Sequence, residues 1–360
     1  MPKFHSLAVS DVRKETEDTV SVAFEVPAEL KEQYKFIQGQ YLTFKLNIGG
    51  EEIRRSYSIC TSPLDNELRV AIKKVEGGRF STFANETLKV GDELEVMTPL
   101  GRFYTKLNPE NENHYVAFVA GSGITPVMSH MRTILEVEPK SVFTLIYGNK
   151  SSSTIIFKED IDDLKNEYME RLRVFHVLSR EQNEVPLLFG RIDQEKCKLF
   201  LKYFIDPQSI DEVFICGPAP MIDSVRTELN AANIDRKKIH FELFASPQQL
   251  ADNQNKKTVK REKKDGFQAK VSVILDGITT EFTMNSEDDN ILDAALKNGA
   301  DLPFACKGGV CATCRAKLEK GKVEMDVNYS LEPDELKRGF ILTCQSHPTS
   351  ESVVVNFDEA

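Results

Sequence analysis

From the N-terminus to about residue 108, apolar and polar side chains alternate in short runs: LAVSDV, SVAFEV, YLTFKL, LRVAIKKV and ELEVM, broken by Gly and Pro turns. A period of two puts one face of a strand on a core and the other in solvent, and many such strands joined by turns predict an antiparallel β-barrel. From about residue 114 the pattern changes. Apolar runs, HYVAFVAG, SVFTLIYGN and DEVFICG, are each followed by a helical stretch: SGITPVMSHMRTILEV, FKEDIDDLKNEYM and PAPMIDSVRTELNAA. Strand alternating with helix predicts an α/β doubly wound domain with a parallel sheet.

Charge marks a further boundary. Residues 252–266, DNQNKKTVKREKKDG, have no apolar period and carry net +3, between a body of net −6 (1–251) and one of net −7 (267–360). Such a segment reads as a solvated linker over 246–266. The expected domains are therefore 1–110, 111–245 and 267–360, and a chain of 360 residues, 41% hydrophobic and 28% charged, is long enough to give each its own core. Acidic bodies on both sides of the linker would repel a phosphate backbone, so no nucleic acid is expected as partner. The N-terminus MPKFHSLAVSDVRKETEDTV lacks the apolar core of a signal peptide, and no run approaches the roughly 18 apolar residues of a membrane span. A cytoplasmic protein with no membrane partner is expected.

In a reducing compartment, seven cysteines clustered toward one end point to metal or redox chemistry rather than to disulfides. Cys306, Cys311 and Cys314 follow C-x4-C-x2-C, and Cys344 stands thirty residues further on. That is the spacing of plant-type [2Fe-2S] sites, which need four thiolates around two irons. Gly308 and Gly309 would let the loop wrap, and Ala305 and Ala312 would leave room for backbone N–H groups near the sulfurs. The competing reading is structural zinc, which usually takes paired C-x2-C units, whereas only one is present. Cys60 and Cys197 fall outside the pattern and read as ordinary small buried residues. In the α/β part, AGSGITP puts Gly121, Gly123 and Thr125 between a strand and a helix, where a pyrophosphate can meet the helix N-terminus. In VEGGRFSTF, Gly77 and Gly78 precede a short helix expected to begin near Ser81, offering N–H groups to a second pyrophosphate.

At these residues the C-terminal body resembles a plant-type ferredoxin: strands VSVIL and EFTM, helix NILDAALKNGAD, loop PFACKGGVCATC, then ILTCQSHPTSESVVVNF. The resemblance implies an α+β (β-grasp) fold with Cys306, Cys311, Cys314 and Cys344 as iron ligands. The stretch RRSYSICTSP resembles the R-x-Y-S motif of the ferredoxin-NADP reductase family, which implies FAD, with Arg55 on a flavin phosphate and Tyr57 and Ser58 against the isoalloxazine. The same resemblance implies that Cys216 and Gly217 of CGP lie beside the nicotinamide, and that Glu242 and Phe244 of HFELF lie near the flavin ring. Ser58, Cys216 and Glu242 would then flank hydride transfer. LSREQ resembles the stretch by which that family holds a 2′-phosphate, through Ser179 and Arg180, and so implies NADPH. The neighbouring Glu181 is the residue type an NADH enzyme would use instead.

Taken in order, flavin barrel, nucleotide domain and ferredoxin, the whole chain resembles the reductase components of bacterial multicomponent oxygenases. FHSLAVSDV, GEEIRRSYSIC, EGGRFS, FTLIYGN, ADLPFACKGGVCATC and NYSLEPDELKRGF resemble, more narrowly, the reductase subunits of ring-1,2-phenylacetyl-CoA epoxidase complexes of phenylacetate catabolism. That family's role implies electrons passing from NADPH through FAD and the cluster to a di-iron oxygenase component. The six histidines are scattered and form no Glu-x-x-His pair, so oxygen chemistry would occur on the partner. An NADH-dependent reductase of a ring-hydroxylating dioxygenase, and a zinc-stapled nucleotide-binding protein without catalysis, stay open at this point.

Overall fold

The computed structural model describes residues 3–244, 267–285 and 289–359, so the expected linker over 246–266 lies outside the described residues. They group into two compact units, one made almost wholly of residues before 245 and one almost wholly of residues after 266.

The larger unit opens with a six-stranded sheet built from β1 (Phe4–Thr16), β2 (Thr19–Glu25), β3 (Tyr41–Ile48), β4 (Glu51–Ser58), β5 (Leu68–Lys73) and β6 (Glu93–Met97), in the order β4-β3-β6-β1-β2-β5. β1 pairs antiparallel with β2 and β6, β2 with β5 and β3 with β6, and an antiparallel bridge from Ile59 to Val70 joins the end of β4 to β5. The two edge strands are thereby brought together, as barrel closure requires. Leu7, Val9, Val22, Phe44 and Val70, the inward members of the alternating runs, fill its core.

A second, five-stranded parallel sheet follows: β7 (His114–Ala120), β8 (Val142–Asn149), β9 (Leu172–Leu178), β10 (Glu212–Gly217) and β11 (Ile239–Leu243), in the order β11-β10-β7-β8-β9. After α1 (Arg79–Glu86) in the barrel come α2 (Ile124–Val137), α3 (Lys158–Glu167), α4 (Gln194–Tyr203) and α5 (Ala219–Ala231). The strand–helix pair of β9 and α4 joins the three pairs expected from apolar periodicity. β9 is an edge strand, and its sequence LRVFHVL is only partly buried, so it never reads as a continuous apolar run.

Helix α2 bonds the barrel to this sheet through its polar side. Ser129 Oγ donates to Thr61 O (2.6 Å), Thr133 Oγ1 donates to Ser62 Oγ (3.1 Å), and His130 Nε2 lies 2.8 Å from Phe103 O. Burial pushes the His130 ring down to about 3, so it is neutral. The wholly buried carboxylate of Glu138, just past α2, accepts from Asn108 N, Asn111 Nδ2, Tyr115 Oη and Ser141 Oγ at 2.7–3.0 Å. Four donors satisfy this buried side chain and hold the chain where it crosses from barrel to sheet.

The smaller unit has a five-stranded mixed sheet ordered β13-β12-β18-β14-β16, from β12 (Gln268–Leu275), β13 (Ile278–Asn285), β14 (Arg315–Lys320), β16 (Phe340–Leu342) and β18 (Ser352–Asn356). β15 (Val323–Met325) and β17 (Ser346–Pro348) form a separate ribbon. α6 (Ile291–Lys297) packs Ile291, Leu292 and Ala295 into the core of this unit, and α7 (Pro333–Lys337) precedes β16. Asn290 caps α6, its side chain accepting from Asp293 N at 2.9 Å.

Candidate functional site

The three-cysteine loop, residues 306–314, lies between α6 and β14, and Cys344 sits in the turn between β16 and β17. Lys307, Gly309 and Ala312 have φ of 50°, 74° and 53°, the left-handed region that costs a residue with a Cβ roughly 1–2 kcal/mol. Gly308 does not, so of the two glycines expected to relieve strain only Gly309 does so by its φ. The loop folds back on its own sulfur: Gly308 N and Cys311 N donate to Cys306 Sγ at 3.3 and 3.4 Å.

Among the described residues no three His, Cys, Asp or Glu side chains converge on one point that could hold a metal ion. The thiols stand instead as two neighbouring pairs, Cys306 with Cys311 and Cys314 with Cys344. A structural zinc draws four donors onto one centre, whereas four thiolates around two irons are supplied two to each, so this donor set fits a [2Fe-2S] cluster. The first pair is half-buried and the second buried. The neighbouring Cys311 thiol, with N–H groups of Gly308, Cys311 and Val310, holds Cys306 below the usual thiol range against the opposing effect of burial. Cys60 and Cys197 are buried in the larger unit, and burial raises both, Cys197 to about 12.

The second constellation forms at the switch point of the parallel sheet, where β7 and β10 lie side by side and the chain goes on from them in opposite directions across the sheet, to β8 and to β11. Gly121–Gly123 makes a tight turn between β7 and α2, with Gly121 at φ 54° and its carbonyl accepting from Tyr147 Oη at 3.0 Å. A Cβ on Gly123 would meet Cys216 O at 2.3 Å and Cys216 C at 2.7 Å, and one on Gly217 would meet the Met221 methyl at 2.7 Å. The two motifs, almost a hundred residues apart, thus touch backbone to backbone. Thr125 Oγ1 donates to Ser122 O at 3.0 Å and closes the turn. β5 of the barrel runs beside it.

Glu242 pairs in register with Cys216 across β10 and β11, and Phe244 N donates to Gly217 O at 2.9 Å. Glu242 is half-buried as a residue, but its Oε2 is enclosed and has no partner, and burial pushes the carboxyl up to about 8. A buried acceptor left unpartnered is the kind of atom that a bound cofactor satisfies. Burial, and then the Glu242 charge, also raise the Cys216 thiol, which favours the neutral form.

On the barrel, Arg55 is exposed on β4 and donates to Arg54 O at 2.7 Å, Tyr57 packs against Phe44 and Phe80 at 6.0 and 5.6 Å between ring centroids, and Ser58 is buried. Gly77 has φ 69°, and a Cβ on Gly78 would fall 2.4 Å from Ser81 Oγ. Helix α1 begins at Arg79, two residues before the expected Ser81, whose hydroxyl bonds Val75 N and Gly78 O at 3.2 Å and so closes the turn.

Ser179 and Arg180 follow β9, their backbone N–H groups donating to Asn149 O and Lys150 O at 2.9 and 2.8 Å. Arg180 is exposed and takes part in no ion pair among the described residues. Three strand spacings separate β10 from β9, about 14 Å, the scale of an extended dinucleotide. Glu181 turns aside: its Oε2 accepts from Ser152 N at 2.7 Å and Ser152 Oγ at 2.9 Å, and these bonds lower its carboxyl. Ser152 was not among the residues expected at the site, although the hydroxyl run SSST after β8 is a signal for it.

Comparison with known proteins shows the family of the chain. Residues 6–104 match a family described as oxidoreductase FAD-binding domain, 118–227 one described as oxidoreductase NAD-binding domain, and 273–349 one described as 2Fe-2S iron-sulfur cluster binding domain. The chain is 48% identical to a subunit of 1,2-phenylacetyl-CoA epoxidase from Escherichia coli K12, with 99% of each chain covered. It is 32% identical to the ferredoxin reductase component of 3-ketosteroid-9-alpha-monooxygenase from Rhodococcus rhodochrous, over 98% of this chain and 96% of that one. Among solved structures, phthalate dioxygenase reductase shares its fold, with TM-score 0.58 at 21% identity over 98% of both chains. An intact type IV self-sufficient cytochrome P450 monooxygenase matches with TM-score 0.66 at 21% identity, over 98% of this chain and 41% of that one. Among the described residues no helix is long and apolar enough to cross a membrane.

Proposed function

The chain belongs to the oxidoreductase family that includes this subunit of 1,2-phenylacetyl-CoA epoxidase and the oxygenase ferredoxin reductases, with FAD-binding, NAD-binding and [2Fe-2S] parts, and on that premise we propose that it passes electrons from NADPH to a di-iron oxygenase acting on phenylacetyl-CoA. Bound FAD would turn a hydride pair into single electrons and the cluster would carry them one at a time. The observation that carries the reading is the presence, in one chain, of a glycine cradle closed on Cys216 and of four thiols set in two pairs.

Residues 1–110 are assigned to the flavin, 111–245 to the nucleotide and 267–360 to the cluster, with 246–266 as linker. Arg55, Gly77, Gly78 and Ser81 serve the flavin phosphates, and Tyr57, Ser58 and Phe244 its ring. Gly121, Gly123, Thr125 and Gly217 admit the pyrophosphate and nicotinamide, and the neutral Cys216 thiol shapes hydride approach without competing as a nucleophile. Glu242 is protonated at pH 7 and holds a proton at a carboxyl whose Oε2 has no other partner. NADPH is favoured over NADH because Arg180 is exposed and uncompensated, while the carboxylate that would otherwise bind a free 2′-hydroxyl is engaged by Ser152. The site of action is the cytoplasm.

Anaerobic titration of the purified protein with NADPH and with NADH tests this reading by visible spectrum. Bleaching of both flavin and iron–sulfur bands, at lower NADPH than NADH, is the expected outcome. A colourless protein, or one reduced only by NADH, refutes it in part or whole.

A further inference from the structure

The turn that carries Cys344 grips the three-cysteine loop at both ends. Thr343, wholly buried, donates through N and Oγ1 to Cys314 O at 3.1 and 2.9 Å, holding the loop's last cysteine. Gln345, 3% exposed, holds the other end: its Nε2 donates to Lys307 O at 3.0 Å, next to Cys306, and to Cys344 O at 2.8 Å. The same Nε2 lies 3.5 Å from Cys344 Sγ, within reach of sulfur as acceptor. Gly309 is part of the fit, since a Cβ there would meet Gln345 Cγ at 3.2 Å and Val327 Cγ2 at 3.1 Å. Gln345 O in turn accepts from Asp326 N at 2.9 Å, which ties its backbone to the segment after β15.

The two sides of the centre differ in how their sulfurs are served. Cys306 takes N–H donors from the backbone of its own loop, whereas Cys344 takes one from a side chain. A primary amide has two N–H bonds and three acceptors here, so one hydrogen is shared between the Cys344 carbonyl and sulfur. We propose that Gln345 is a positioning residue of the iron–sulfur centre, setting the separation of the two thiol pairs through Lys307 O and raising the cluster's reduction potential through Cys344 Sγ. The sign follows from charge: reduction adds an electron to the cluster, and a donor to sulfur stabilises the more negative state.

The test uses the full chain carrying both flavin and cluster, with Gln345→Met, which keeps length and removes both N–H bonds. An anaerobic redox titration followed by electron paramagnetic resonance and visible absorption should show the cluster midpoint shifted downward and the flavin midpoint unmoved. Release of iron to a chelator should be several-fold faster. A native cluster midpoint at full iron content overturns the proposal. If Gln345→Met takes up no iron, Gln345→Glu is read in the same way: a midpoint at or above the native value overturns the proposal, and a lower one supports it. Loss of iron from both variants with flavin retained, while Thr343→Ser keeps its cluster, supports the positioning role, and equal loss in all three overturns it.

Discussion

The thiol loop and the glycine cradle solve similar assembly problems by opposite means. Each joins pieces far apart in sequence, Cys306–Cys314 with Cys344 in one and Gly121–Gly123 with Cys216–Gly217 in the other. In the loop the chemistry is in atoms the side chains supply, the four cysteine sulfurs. In the cradle it depends on atoms that are absent, because a single added Cβ at Gly123 would stand 2.3 Å from a carbonyl oxygen. The thiol centre therefore depends first on which side chains are present, and the backbone cradle on the absence of any added atom at its contact point.

Cys311→Ser should break the comparison most completely. Iron content and iron–sulfur absorption should be lost, electron delivery to the oxygenase should cease, and flavin content and NADPH oxidation by an artificial acceptor should remain, since flavin and nucleotide are held in the other unit. Loss of all of these together would contradict separate function of the two parts. Gly123→Ala should have the converse effect. Overpacking against rigid backbone costs about 1–3 kcal/mol, so the melting temperature of the larger unit should fall by several degrees and hydride transfer to flavin by tenfold or more, while the cluster stays intact. Stopped-flow flavin reduction and calorimetry measure both.

Smaller changes sharpen the cradle's polar rim. Arg180→Ala should lower kcat/KM for NADPH by about tenfold to a hundredfold, the worth of charge-assisted bonds, and leave NADH within a few-fold. Equal losses would remove the basis for NADPH. Glu242→Gln should flatten the pH profile of flavin reduction: the native carboxyl is protonated below about 8 and ionises above it, so the native rate should fall a few-fold from pH 7 to 9 while the Gln variant stays level. A native profile that is level over that range would exclude the Glu242 proton from the reaction. Ser152→Ala leaves one of the two bonds that hold Glu181, so the NADPH to NADH preference should drop by only about twofold to fivefold. Steady-state kinetics with both nucleotides would show an unchanged ratio if Ser152 has no part in it.

Much of this molecule is legible in one dimension. Each strand run quoted from the barrel region falls on an observed strand, because a period of two leaves a half-buried strand no other way to hide its apolar face. The C-x4-C-x2-C spacing picks out Cys306, Cys311 and Cys314 together with the distant Cys344, and the fold brings the four thiols together as two pairs. The edge pair β9 and α4 is less legible, since half-exposed positions such as Arg173 and His176 interrupt its apolar pattern. Helix α1 starts two residues before Ser81 because Gly78, which offers no side-chain cap, stands at its N-cap, and Ser81 serves the turn from inside.

Residue type and spacing determined which atoms are available: four sulfurs, two glycine turns, one arginine after β9. Only the tertiary structure decided how they pair and what holds them, that Gly123 rests on Cys216, that Glu181 turns to Ser152, and that Gln345 spans from Cys344 to Lys307. Spacing constrains what is near along the chain, whereas these contacts join segments roughly thirty to ninety residues apart and exist only once sheet order and turn geometry have brought backbone donors and acceptors within about 3 Å.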